Sequence, residues 1–245
     1  MLFLHRAKLV ILSQPKTGTS ALQRALAPHA SISFDNPPVY KHIRYMKFER
    51  LVRPLIKEIA DLDRDEYEVV AVMREPFDWL GSWYRYRSRE ALSGARGEPV
   101  SERFSGNVSF EEFLNAVCLR GDARPAYARV GSPCGVSMRG KQGIGVDRLF
   151  PYEDMSGLLD LIQTKLQRKL KIERVNVSPP KELDISAETI EKVRKHFEFQ
   201  FALHAALRPD GQVPAEFRAG NAPRKGKAKG QAKEKKRKGK GRKAA

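Results

Sequence analysis

The stretch KLVILSQPKTGTSALQRAL, residues 8–26, runs from an apolar strand through a turn of small residues into a helix. The continuous apolar run KLVIL is typical of a buried strand, and the apolar residues of TSALQRAL recur at helical spacing. Gly18 permits the tight turn between them, since glycine tolerates backbone conformations that other residues avoid. This order of elements predicts an α/β domain in which the turn lies at the edge of a sheet, where ligands bind.

The same turn, PKTGTS (residues 15–20), predicts a site for an anion. Backbone amides from about Thr17 to Ser20 can point together at the start of the helix, where the helix dipole adds partial positive charge. The hydroxyls of Thr17, Thr19 and Ser20 are further donors, and Lys16 adds a full charge. A terminal phosphate or sulfate fits such a loop. The alternatives are a strand-to-helix turn that binds nothing, and a Walker loop, which is disfavoured because GxxxxGK[ST] is absent.

A second pair of polar residues occurs in the stretch VVAVMREPFDWLGS, residues 69–82. Arg74 comes directly after the buried strand VVAVM, and Pro76 favours the start of a helix at that point. Ser82 follows about two turns into this helix. The forked donors of a guanidinium and a serine hydroxyl can clamp a second phosphate. Taken alone, each residue is more often an ordinary polar group, but together with PKTGTS they predict a second anion site.

Further segments continue the alternation of strands and helices. SISFD, YEVVAVM and DRLFPYEDM are predicted strands, and SGLLDLIQTKLQRKL, VSFEEFLNAVC and AETIEKVRKHFEFQFALHAAL are predicted helices. YKHIRYMKFERLVRPLIKEIADL is predicted to hold a strand end and then a helix that breaks near Pro54. Residues 91–145 are rich in Gly, Ser and Arg and are predicted to form a long, partly irregular insertion. The fold expected is a parallel sheet with helices on both faces.

The positive charge of the chain is concentrated at one end. The chain has 245 residues and a formal net charge of +17. Residues 224–245 contain twelve Lys and Arg and one acid, Glu234, so they carry +11 and residues 1–223 carry +6. We expect residues 219–245 to be a disordered tail, since it has no large apolar side chain to bury, and residues 1–218 to form one domain. The tail is either a solvated extension or an arm that contacts polyanions.

Composition also bears on the compartment. Cys118 and Cys134 are too few for a disulfide framework, which fits a reducing environment. The opening MLFLHRAKLVIL is interrupted by charged residues and is expected to be a folded first strand. No stretch reaches the roughly 18 apolar residues of a membrane span. We therefore expect a cytoplasmic protein with no membrane span, and no spacing of Cys or His indicates a metal site.

The two anion-binding stretches resemble those of the sulfotransferase family, whose donor is 3′-phosphoadenosine 5′-phosphosulfate (PAPS). QPKTGTS is similar to the family's loop for the 5′-phosphosulfate, and REPFDWLGS is similar to its site for the 3′-phosphate. The run REPFDWLGSWYRYRSR looks most like bacterial and carbohydrate-type members. LFPYEDM (residues 149–155) is similar to a strand-to-helix segment of the family, and VNVSPP (residues 175–180) is weakly similar to a late one. The RKGxxGDW segment of cytosolic members has no counterpart in residues 1–218.

This resemblance implies a P-loop-like three-layer α/β/α fold with a central parallel sheet. It also implies transfer of a sulfuryl group from PAPS to a hydroxyl or amine acceptor, with a carbohydrate among the candidates and no metal ion required. Lys16 would be the catalytic cation. The residues implied to bind the donor are Lys16, Thr17, Gly18, Thr19 and Ser20 in the first stretch and Arg74 and Ser82 in the second.

An alcohol acceptor also needs a base. His42, in YKHIRY, is the leading candidate, because an ordinary pKa of about 6.5 suits proton abstraction near neutrality. Its setting also resembles the strand end that carries the base in related enzymes. Asp35 and Glu49 are the reserves, since carbohydrate-type members use a carboxylate. A partly buried histidine without a catalytic role is the alternative.

Two other functions stay open. A P-loop-like nucleotide kinase would use ATP and Mg²⁺ at the same edge of the sheet. A polyanion-binding protein would act through the basic tail, and its binding would be sensitive to salt.

Overall fold

A computed structural model describes residues 1–94, 99–170 and 184–220 of the chain. VNVSPP and the basic tail from residue 221 onward lie outside these described residues, so the predictions made for them stay predictions. Within the described residues the fold is mixed α/β, built around a five-stranded sheet.

The sheet is only partly parallel. Its strands are β1 (Leu2–Leu4), β2 (Leu9–Ile11), β3 (Ile32–Ser33), β4 (Glu68–Met73) and β5 (Arg148–Pro151), in the order β3-β1-β2-β4-β5. β2, β4 and β5 run parallel, whereas β1 is antiparallel to its two neighbours, β2 and β3. The parallel sheet expected from the sequence is therefore corrected to a mixed one. The strands that precede the two predicted anion sites, β2 and β4, are parallel neighbours.

The antiparallel edge arises because the opening apolar segment folds back on itself. The sequence predicts one strand there, but a helical turn at His5–Ala7 separates β1 from β2. Lys8 ends that turn with a left-handed φ of 47°. The resulting hairpin pairs Leu2 with Ile11. The polar residues that interrupt the apolar run are thus the residues of a chain reversal.

The helices agree with the predicted segments, with three changes, one of which is that α2 replaces a predicted strand end. Their bounds are α1 (Thr19–Leu26), α2 (Pro38–Lys41), α3 (Tyr45–Lys47), α4 (Arg53–Ala60), α5 (Pro76–Arg87), α6 (Phe110–Cys118), α7 (Ser156–Leu166), α8 (Ala187–His196) and α9 (Glu198–Ala205). A wide π-helical turn, Phe48–Val52, joins α3 to α4, so the predicted break near Pro54 is a change of helix type. The predicted closing helix is two helices, separated at Phe197. No helix in the described residues combines the length and the apolarity needed to cross a membrane.

The buried residues of the sheet are divided between two apolar clusters. Alternate residues of a strand point to opposite faces, and each face has its own apolar cluster. Val69 and Met73 of β4 belong to the cluster that contains Ile56 of α4. Val70 belongs to the cluster that contains Leu22 of α1. Because β2 and β4 are parallel neighbours, the residues that follow their carboxyl ends lie at the same edge of the sheet.

Candidate functional site

The loop between β2 and α1 presents a run of unbonded backbone donors. Lys16 and Gly18 have left-handed backbone angles, with φ of 69° and 67°. The first turn of α1 closes where Ala21 N–H donates to the Gly18 carbonyl (3.0 Å). Within the described chain, no backbone N–H from Lys16 to Ser20 donates to a backbone carbonyl outside a helix. Free N–H groups at a helix start suit an anion.

Buried hydrogen bonds hold this loop in shape. Thr17 is fully buried, and its hydroxyl donates to the Gln14 carbonyl (2.9 Å). Trp79 Nε1 donates to the Pro15 carbonyl (2.9 Å), and the Gln14 side chain donates to the Ser132 carbonyl (2.8 Å). The sequence predicts that the Thr17 hydroxyl donates to a ligand. In the structure it donates to a carbonyl of its own loop instead. Its backbone N–H remains as the donor that Thr17 offers to an anion.

Arg74 connects the two predicted anion sites. It follows Met73, the last residue of β4, and β4 is the parallel neighbour of β2. Its Nη1 donates to the Lys16 carbonyl (3.2 Å), and its Nε pairs with Asp78 (2.5 Å). The guanidinium also lies over the Tyr152 ring, 4.6 Å from the centroid. The stretches QPKTGTS, REPFDWLGS and LFPYEDM therefore meet around one guanidinium.

Ser82 lies on α5 in a row that includes charged residues. Asp78, Ser82 and Arg85 are four and three residues apart, so they share one face of the helix. Arg85 Nη2 is 3.8 Å from Asp78 Oδ1, and Asp78 is also the partner of Arg74. Ser82 is 6% exposed, and its hydroxyl has no hydrogen-bond partner among the described residues. Both arginines thus pair with a carboxylate one helical turn from this free hydroxyl.

Lys16 carries its charge among other cations. Its Nζ lies 4.6 Å from the centroid of the Tyr86 ring and 5.9 Å from that of Trp83. Burial is the largest cause that lowers the pKa of Lys16, to about 8. The further causes are the guanidiniums of Arg89, Arg74, Arg85 and Arg87.

This group of five cations has little counter-charge. In the part of the chain that the structure describes, Asp78 is the one carboxylate that pairs with any of them. Arg87 is 4% exposed, and its Nε is buried without a hydrogen bond. A region of uncompensated positive charge raises the local concentration of anions.

His42 lies beside the loop, although not at the end of a strand as the sequence predicts. β3 ends at Ser33, and the short helix α2 then begins at Pro38, where a proline is well suited to the first turn. His42 is the residue that ends α2. The predicted strand end is therefore a helix end, and the histidine still reaches the edge of the sheet.

The His42 ring is held by the residues that follow β2. Its Nδ1 is 2.7 Å from the Ser13 carbonyl. Because a carbonyl only accepts, Nδ1 carries the proton and Nε2 is an acceptor. Burial lowers the pKa of His42, the bond to Ser13 opposes that change, and the Lys41 charge adds to it. The imidazole is therefore neutral near pH 7, with Nε2 able to take a proton.

Of the two reserve bases, Asp35 lies near the loop. Lys41 Nζ pairs with Asp35 (2.8 Å) and donates to Ser20 Oγ (3.4 Å). One lysine therefore joins the Asp35 carboxylate to the first turn of α1. The pair with Lys41 holds the pKa of Asp35 below its ordinary value.

Glu49 lies at the other end of the sheet. Its carboxylate pairs with Arg53 (3.2 Å) and Arg64 (3.4 Å). Arg64 Nη1 donates to the carbonyl of Tyr67, the residue that precedes β4. Glu49 is thus near the amino end of β4, whereas Arg74 follows its carboxyl end. This placement corrects the expectation that Glu49 is available as a base beside the loop.

The stretch LFPYEDM supports both sites with side chains whose roles the sequence did not indicate. A Cβ on Gly18 would lie 3.3 Å from the Tyr152 ring. Glu153 accepts from the Glu75 N–H (2.8 Å) and pairs with His204 (2.9 Å). Tyr152 packs against the first site, and Glu153 holds the backbone at the start of α5.

Four cations of the site were missed by sequence reasoning: Lys41, Arg85, Arg87 and Arg89. The spacing of Arg85, three residues after Ser82 on one helix face, was a signal that could have found it. Lys41, Arg87 and Arg89 gave no such signal, because their placement depends on how α2 and the end of α5 pack.

No protein family model, curated protein or solved structure matches the chain. Within the described residues, no three or more His, Cys, Asp and Glu side chains are grouped so that they could hold a metal ion.

Proposed function

We propose that this protein is a sulfotransferase that moves a sulfuryl group from PAPS to a hydroxyl or amine acceptor. The observation that carries the proposal is the bond from Arg74 Nη1 to the Lys16 carbonyl (3.2 Å), which joins two basic loops at the carboxyl ends of parallel strands. PAPS has an anionic group on its 3′ and on its 5′ position. Two adjacent anion sites suit such a molecule.

In this proposal the two anionic groups are divided between the loops. The N–H groups of residues 16–20 and the Lys16 ammonium bind the 5′-phosphosulfate. Arg74 binds the 3′-phosphate together with Ser82, and Arg85 adds charge from the same helix face. The bound anion supplies the counter-charge that the free site lacks, and it returns the pKa of Lys16 toward its ordinary value.

The reaction proposed is displacement at sulfur. The acceptor oxygen attacks the sulfur, the bond from sulfur to the 5′-phosphate oxygen breaks, and the electron pair stays on that oxygen. Lys16 stabilises the charge that builds there, and losing such a donor commonly lowers the rate about 10²–10³-fold. His42 Nε2 takes the proton of a hydroxyl acceptor. Adenosine 3′,5′-bisphosphate leaves, and no step is assigned to a metal ion.

The proposed fold is the P-loop-like three-layer α/β/α arrangement. The support for it is that each face of the sheet has its own apolar cluster with helices packed on it. The antiparallel strands β1 and β3 extend the sheet on the side away from β4. A carbohydrate hydroxyl as acceptor and a cytoplasmic location belong to the same proposal.

A thermal-shift comparison tests the proposed function. Adenosine 3′,5′-bisphosphate is expected to raise the melting temperature, and ATP with Mg²⁺ is not. A ligand at a hundred times its Kd adds about 2.7 kcal/mol to the free energy of unfolding, which is readily measured. The reverse result would favour a nucleotide kinase and refute the proposal. A sulfate-transfer assay with a panel of carbohydrate and phenolic acceptors then tests the chemistry.

A further inference from the structure

The helical rod of residues 45–60 exposes a row of large apolar side chains. The rod consists of α3, the π-helical turn and α4, and its inner face belongs to the core of the sheet through Phe48, Val52 and Ile56. The outer face carries apolar side chains that are between 43% and 63% exposed, namely Met46, Leu51, Leu55 and Ile59. We refer to these four residues as the apolar row. They contribute nothing to the core, so the fold does not explain them.

The helix geometry places these residues on one side of the rod. Leu51, Leu55 and Ile59 are four residues apart and therefore share a face. The π-helical turn adds one residue per turn, so Met46, five residues before Leu51, falls on the same side. Exposed apolar groups that line up in this way mark interaction surfaces.

The unpaired charges next to the apolar row are mainly positive. Arg44, Lys47 and Arg50 are exposed, and none of them has an acidic partner among the described residues. Further along the rod, the basic residues of α4 pair with carboxylates. Unpaired positive charge is therefore concentrated at the amino-terminal half of the rod, beside Met46 and Leu51.

We propose that this face of the rod docks on the surface of an anionic lipid bilayer. A helix that lies in a membrane interface buries an apolar face at the headgroup boundary, and its Lys and Arg side chains meet acidic headgroups. A second copy of the chain fits this face poorly, because it would bring the same cations together. The basic residues of the tail, with a charge of +11 over residues 224–245, supply a second electrostatic signal for the same surface.

The docking face begins close to the candidate site. Lys41, whose Nζ donates to Ser20 Oγ (3.4 Å), lies four residues before the rod. Val39 and Tyr40 of α2, next to it, are 61% and 58% exposed. A docked protein therefore holds the loop near the headgroups. The inference does not depend on the proposed function.

Vesicle flotation with the full chain tests this inference. Binding is measured on phosphatidylcholine vesicles with and without phosphatidylglycerol. The wild type is expected to bind only the vesicles with phosphatidylglycerol. The variant Leu51→Gln/Leu55→Gln/Ile59→Gln is expected to lose at least about tenfold in partition coefficient, since it removes the apolar surface that enters the interface.

Two further variants distinguish the contribution of the apolar row to vesicle binding from that of the cations and from that of exposed apolar side chains elsewhere. Val100→Gln/Leu119→Gln removes side chains that are 64% and 41% exposed outside the rod, and it is expected to bind like the wild type. Arg44→Gln/Lys47→Gln/Arg50→Gln is expected to bind more weakly and with less dependence on salt.

Several results would overturn the inference. Equal binding of the wild type and the apolar-row variant would show that the basic tail alone accounts for binding. Equal binding to neutral and anionic vesicles would remove the role of the cations. A dimer in sedimentation equilibrium that the apolar-row variant abolishes, with no vesicle binding, would assign the face to a second copy. If the triple variant fails to fold, Ile59→Gln, at the most exposed position of the row, is used in its place and must still lower binding.

Discussion

Replacing Lys16 with methionine should make the free protein more stable and, at the same time, unable to bind the nucleotide. The Lys16 ammonium is partly buried among four guanidiniums, and these surroundings disfavour its charged form. Methionine has a similar length and no charge. It therefore removes the cost of burying a charged group among cations and keeps most of the packing. A lysine that served only the fold would give the opposite result.

The expected gain in the free energy of unfolding follows from the pKa of Lys16. A change from 10.5 to about 8 corresponds to roughly 3 kcal/mol. Lys16 is partly exposed, so solvent screening reduces this, and we expect about 1–3 kcal/mol. Because the pKa is lower in the folded than in the unfolded protein, the penalty is fully present below pH 8 and disappears as the pH rises past 10.5.

Thermal and denaturant unfolding of four proteins measures the effect. At pH 7 the Lys16→Met variant should melt several degrees higher than the wild type, since 1 kcal/mol shifts a domain of this size by about 2–4 °C. Lys16→Arg keeps the charge and should show no gain. Lys41→Met removes a lysine that is paired with Asp35 and should also show none. The gain of Lys16→Met should shrink as the pH is raised toward 10.5.

Binding supplies the second half of the test. Lys16→Met should lose the thermal shift that adenosine 3′,5′-bisphosphate gives the wild type. A lower melting temperature for Lys16→Met at pH 7 would refute the reasoning, because it would show that the ring contacts with Tyr86 and Trp83 outweigh the cost of the charge.

Substitutions at three other residues test the remaining parts of the site. Arg74→Ala should lower the affinity for adenosine 3′,5′-bisphosphate about 10–100-fold in calorimetry, because it removes charge-assisted hydrogen bonds, and an unchanged affinity would take Arg74 out of the site. His42→Ala and His42→Gln should both lower turnover about 10²–10⁴-fold and leave that affinity unchanged. Since burial lowers the pKa of His42 below 6.5, wild-type turnover should decline only at pH values under 6.5, and full activity in either variant would contradict its role as a base. Gly18→Ala should lower the free energy of unfolding by about 1–2 kcal/mol, because alanine is strained at a φ of 67°. It should also weaken nucleotide binding. An unchanged melting curve would show that alanine is not strained at this position.

The parts of the fold that the sequence predicts well are those set by local patterns. β4 and the start of α5 at Pro76 follow from a continuous apolar run and from a proline at a first helical turn. The hairpin of β1 and β2 could not be predicted, because the choice between an interrupted strand and a chain reversal depends on pairing with β3 and β4. The end of β3 likewise depends on its single neighbour, which is why His42 ends a helix instead of a strand.

The site shows the same division. The loop at Lys16 and the pair Arg74 and Ser82 could be selected from spacing alone, since a turn and a helix face are local. Which of the two carboxylates lies near the loop could not be predicted, because it depends on contacts between segments that are distant in the sequence. Asp35 reaches it through Lys41, whereas Glu49, which is equally far from His42 in sequence, pairs with Arg64 at the other end of the sheet.

Arg74 and Lys16 differ in how the protein holds them, and that difference argues for distinct roles. Arg74 has its Nε on Asp78, its Nη1 on the Lys16 carbonyl and its face over the Tyr152 ring, so its orientation is fixed before any ligand arrives. A fixed donor loses little conformational entropy on binding, which is what recognition of a phosphate requires. Lys16 has no carboxylate partner among the described residues, and its pKa is lowered to about 8. An unpaired charge gains most when negative charge develops next to it, because nothing else has yet compensated it. Under the proposed function, Arg74 would therefore act in ground-state binding alone, whereas Lys16 would act in binding and would also stabilise the developing charge.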